Sequence, residues 1–66
     1  MSQKREKLRA GIALLNAAAM MLEQAGSEFG GEAENGVNVL MGEAIHAAQQ
    51  AAVRAVRQYD RLKEPA

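Results

Sequence analysis

No cysteine occurs in these 66 residues, so disulfides and thiolate metal sites are excluded, and a single histidine excludes a multi-histidine metal site within one chain. Tryptophan is absent and the aromatics reduce to Phe29 and Tyr59, too few to make a stacking platform for single-stranded nucleic acid. The one proline, Pro65, lies beside the last residue. No strand-like alternation and no internal repeat interrupts the chain. The most apolar stretch, AGIALLNAAAMML at residues 10–22, stops at Glu23-Gln24, short of the roughly 20 residues that a membrane-spanning helix needs. Lys4, Arg5, Lys7 and Arg9 before it imitate the basic start of a signal peptide, but no leucine-rich block follows. A cytoplasmic, non-membrane protein is expected, and the lack of cysteine fits a reducing compartment.

What remains is helical. The spacing predicts one all-α domain, 1–66, as an antiparallel two-helix hairpin: helix about 2–25, Gly/Glu-rich loop about 26–36, helix about 37–63. Ser2 is a suitable N-cap, and Gly26 suits the left-handed position after the first helix. GSEFGGEAENG carries four glycines and no helical apolar period, Asn35 can cap the second helix, and Pro65 can end it. At 1.5 Å per residue the helices would run roughly 35 and 40 Å, close enough in length to lie side by side.

Apolar residues recur every seven. In the first helix Leu8, Ile12, Leu15, Ala19 and Leu22 form a four-three seam, and Leu14, Ala18, Met21 and Ala25 make a second stripe beside it. In the second helix Met41, Ile45, Ala48, Ala52, Ala55, Tyr59 and Leu62 form the seam, widened by Val37, Ala44 and Ala51 on one flank and Val56 on the other. Alanine supplies 14 residues, so the helices can approach closely while each side chain buries little area. A core this small rarely supplies more than ~3–5 kcal/mol, and residues 10–22 have no clear solvent face. Self-association is therefore expected, into a four-helix-bundle homodimer or a larger helical oligomer. The expected interface is Leu8, Ile12, Leu14, Leu15, Ala18, Ala19, Met21 and Leu22 with Met41, Ile45, Ala48, Ala52, Ala55 and Tyr59.

Net charge is zero, yet its layout is polar. The bases fall in two clusters, Lys4, Arg5, Lys7, Arg9 and Arg54, Arg57, Arg61, Lys63, which a hairpin brings to one end. Eight bases against Glu6, Asp60 and Glu64 leave that end near +5, and Glu23, Glu28, Glu32, Glu34 and Glu43 leave the loop end near −5. Helix 2 suits its macrodipole, whereas the bases at the start of helix 1 oppose theirs. The placement fits an antiparallel dimer whose basic ends meet the partner's acidic ends. It also fits capture of an outside anion, or plain solvation.

Catalytic chemistry has little to work with. His46 has Glu43 and Gln50 one turn to either side, but no nucleophile or phosphate loop accompanies them, and a partly buried or interfacial histidine is expected. Gly30-Gly31 lacks phosphate-loop spacing and lies among glutamates. No enzyme activity, metal or cofactor is expected. Phe29 is expected to fold back over Met20, Met21, Leu40 and Met41, or to anchor a partner if exposed. Lys4, Arg5, Arg54, Arg57 and Arg61 are the other candidate partner-binding residues, or a solvated face over alanines. The layout of two long helices and a heptad seam resembles the plasmid RNA-binding Rop-type hairpins, which dimerise into four-helix bundles. The likeness is architectural, and the alanine-rich seam and eleven-residue connection depart from it. The expected function is a self-associating regulator, adaptor or inhibitor of bacterial or phage type, acting by protein–protein interaction. A dimeric nucleic-acid-binding regulator of Rop-like outline, using the basic end, is the alternative.

Overall fold

Apolar residues in four-three alternation on both halves of the chain need each other as cover, and the chain folds back to provide it. The computed structural model describes residues 3–62. Helix α1 spans Gln3–Phe29 and α2 spans Asn35–Arg61, each 27 residues long, packed against each other as an antiparallel hairpin. Among the described residues there is no strand.

Both inner helix ends differ from the expectation. Helix α1 does not stop near Ala25; it runs one further turn to Phe29, and the glycine with positive φ is Gly30 (φ 58°). The Gly30 N–H donates to the carbonyls of Gly26 and Ser27, both at 3.2 Å, which closes the last turn as a left-handed cap. Gly26 thus lies inside the helix and against α2: a Cβ there would sit 3.2 Å from Met41 Cε. Its missing side chain makes room for the methionine. Likewise Asn35 is not the cap of α2. Glu34 holds that position with extended backbone (φ −63°, ψ 154°) and makes no side-chain capping hydrogen bond. Asn38 lies one turn in, and its Nδ2 donates to the Ala33 carbonyl at 3.5 Å. The connection is residues 30–34, not the longer 26–36, and α2 starts two residues before the expected 37. A five-residue turn is within the usual range for an αα-hairpin. At the far end the Leu62 N–H donates to the carbonyls of Gln58 and Tyr59, at 3.2 and 3.1 Å. The expected Ser2 cap and the stop at Pro65 fall outside the described residues.

The seam runs between the two helices. Leu8, Ile12, Leu15 and Leu22 of α1 and Met41, Ile45, Ala48, Ala55, Tyr59 and Leu62 of α2 are half-buried along it. Among the described residues Ala19 and Ala52 alone are buried, at 6% exposure each. One helix–helix contact can surround only the smallest side chains. The result is a rod of 53 × 15 × 14 Å between Cα atoms. Its radius of gyration is 15.4 Å, where a compact chain of this length would have about 11 Å.

A turn glycine and a helix glycine predict opposite responses. Gly30→Ala forces an L side chain into the left-handed region and should lower stability by about 1–2 kcal/mol. Gly42→Ala, inside α2 with open space around its Cα, should raise stability by up to about 1 kcal/mol through helix propensity. Denaturant midpoints of the two variants check both signs.

Candidate functional site

Arg5 and Tyr59 set the geometry of the basic end. Tyr59 is on the α2 seam, and the Arg5 guanidinium carbon lies 4.3 Å from its ring centroid, a cation–π distance. Arg5 is half-buried there, so it joins the two helix termini and is less available to an outside anion than the sequence suggests. Lys4, Arg54, Arg57 and Arg61 are exposed. The three α2 arginines line one shallow groove, because three-four spacing stacks them on one face. The acidic residues Glu23 and Glu28 of α1, Glu32 and Glu34 of the turn, and Glu43 of α2 lie toward the other end. The hairpin therefore holds its two charge clusters at opposite ends of a 53 Å rod.

The hairpin has two broad sides, each with its own grooves. On the first, Lys7 and Gly11 of α1 flank a groove with Ala55 and Gln58 of α2. Heptad steps from Lys7 reach Leu14, Met21 and Glu28, and those from Gly11 reach Ala18 and Ala25. Steps back from Gln58 reach Ala51, Ala44 and Val37, with Leu40 and Ala47 alongside. On the second side Asn16 shares a groove with Gln49, Val53 and Arg57, and Arg9 lies near Val56 and Asp60. Heptad steps there give Arg9, Asn16 and Glu23 on α1, and Val39, His46, Val53 and Asp60 on α2. Continuing the steps adds Lys4, Arg54 and Arg61 to the first side and Ala13, Met20 and Val56 to the second. Each side therefore carries exposed large apolar side chains: Leu14, Met21, Val37 and Leu40 on the first, Met20, Val39, Val53 and Val56 on the second.

The expected interface residues accordingly divide in two. Leu8, Ile12, Leu15, Ala19 and Leu22, with Met41, Ile45, Ala48, Ala52, Ala55 and Tyr59, meet within the hairpin. Leu14 (70% exposed), Met21 (67%) and Ala18 face outward on the first side. Leu40, which the heptad reading left outside the α2 seam, is 66% exposed on that same side. Its grouping with Leu14 and Met21 depends on how the hairpin turns, which periodicity within one helix does not reveal. Phe29 is not a loop residue; it ends α1 and is 43% exposed. His46 is exposed on the hairpin, so the expected partial burial is not found within one chain. Among the described residues, no group of three or more His, Cys, Asp or Glu is placed to hold a metal ion. No helix of the described residues is long and apolar enough to cross a membrane.

Comparison with family models, with curated proteins and with solved structures finds no match to this chain.

The Arg5–Tyr59 contact predicts a graded response at the basic end. Tyr59→Leu removes the ring and should cost about 0.5–1 kcal/mol beyond any packing change. Tyr59→Phe keeps the ring face and should stay near the parent. Thermal melting of the two variants at equal concentration separates the outcomes.

Proposed function

We propose that this chain is a self-associating helical interaction module that acts by binding another protein, as a regulator, adaptor or inhibitor of bacterial or phage type in the cytoplasm. It carries out no catalytic step. The observation that supports this reading is the apolar surface the hairpin leaves outside. Among the described residues nine large apolar side chains are exposed, including Leu14, Met20, Met21 and Leu40. A monomer rarely leaves large contiguous apolar patches to water, and such patches mark interaction sites. Methionines there make a surface that adapts to its partner. Phe29 at the end of α1 adds an aromatic anchor of the kind that dominates binding energetics. Light scattering over a dilution series should give at least twice the 7.1 kDa chain mass. A chain that stays folded at 7.1 kDa down to the lowest concentration argues against self-association.

The groove lined by Arg54, Arg57 and Arg61 favours a second reading, a nucleic-acid-binding regulator. It requires binding of duplex DNA or RNA that weakens steeply with salt. Neutralising each phosphate-contacting arginine should reduce the slope of log K against log salt by about 1. Absence of binding at low salt eliminates this reading.

A further inference from the structure

The outward row on α1 reads Lys7, Gly11, Leu14, Ala18, Met21, Ala25, Glu28 in unbroken four-three alternation, exposed throughout except for the half-buried Gly11 and Ala25. Turned end for end about Ala18, it keeps its order of kinds: charge, small, large, small, large, small, opposite charge. A surface that matches its own reversal is what a two-fold contact between identical chains requires. We propose that this row is the seam on which a second copy docks, antiparallel, with the two turns at opposite ends of a four-helix dimer. The proposal rests on the self-association reading above and names the face and orientation that it leaves open.

Three observations support the second copy as occupant. The first is charge. With turns at opposite ends, the end near +5 lies beside the partner's end near −5 at both extremes of the rod, and Lys7 comes beside the partner's Glu28. With turns at the same end, both basic ends would meet and repel. Only the first arrangement sets α1 against the partner's α1, which is where the self-complementary row lies. The second is shape. Reversal about Ala18 sets Gly11, Ala18 and Ala25 across from the partner's Ala25, Ala18 and Gly11, so small residues let the two helix axes approach while Leu14 meets the partner's Met21 between them. Nothing in the hairpin itself lies within 4 Å of a Cβ built at Gly11. The third is area. The chain exposes 5327 Å², about 1,200 Å² more than the ~4,100 Å² typical of a folded monomer of its mass. A standard interface removes about 800 Å² from each partner, so the excess accommodates one. Leu40, Ala44, Ala47 and Ala51 continue the apolar surface onto α2, where they would meet the same residues of the partner.

Three sets of variants, followed by light scattering and far-UV circular dichroism, test the proposal. Leu14→Gln should reduce the mass to that of one chain at concentrations where the parent is dimeric. Lys7→Glu and Glu28→Lys should each weaken the homodimer about tenfold, the loss expected for two exposed ion pairs. Mixing those two variants should restore the dimer, because every end then meets its opposite. These charged positions are exposed, so they remain informative if Leu14→Gln unfolds. Because the chain has no cysteine, Lys7→Cys and Glu28→Cys chains carry the only thiols in the sample. When mixed and oxidised, they should link to each other rather than like to like. A dimer indifferent to all of these changes, or one linking Lys7→Cys chains to each other, overturns the proposed face or orientation while leaving self-association intact. A parent that is monomeric throughout overturns both.

Discussion

A two-helix hairpin has one internal contact, and everything else in this molecule follows from that limit. A helix presents its side chains over the whole circumference of a cylinder, and a single neighbour covers about a third of it. Among the described residues only two alanines, Ala19 and Ala52, are buried beneath such cover. Small residues let the helices approach, and close approach keeps the few larger seam residues half dry. The same economy leaves Leu14, Met21 and Leu40 in water. A chain whose apolar content exceeds what one contact can hide presents the remainder as surface.

Charge adds direction to this surface. The bases that begin α1 run against its macrodipole, and part of that conflict is relieved locally, where the Arg5 guanidinium rests on the Tyr59 ring. The others stay exposed, and so do the acids at the turn. Pairs of exposed charges contribute little stability each. Spread over the length of a rod, charges of this kind would decide which way round a neighbour lies rather than how tightly it holds.

The seam was legible in the sequence because it depends only on spacing along each helix. Leu8, Ile12, Leu15, Ala19 and Leu22, and Met41 through Leu62, occupy the inward rows that their heptads imply. Helix ends were less legible. Gly26 carries the usual mark of a C-terminus, but its local preference is weak and Met41 packs where its side chain would be. Gly30 offers an equally good cap one turn later, and the longer helix covers more of its neighbour. Asn35 was overruled in the same way, with Glu34 at the cap and no side-chain bond closing it. The pairing of flanks was not legible at all. Whether Leu40 lies beside Leu14 or beside Asn16 depends on the hand of the hairpin, a property of the folded chain and not of any window within it.

The alanine seam has a consequence for how the molecule loses its structure. Heat capacity and denaturant sensitivity of unfolding both scale with the surface newly exposed. In a single hairpin where Ala19 and Ala52 are the buried residues among those described and the larger seam side chains are half-covered, both quantities should be small and the melting transition shallow. Any cover laid over Leu14, Met21 and Leu40 would add to the area that unfolding must expose. Sharpness of melting, in a molecule of this build, would therefore report on whether such cover is present.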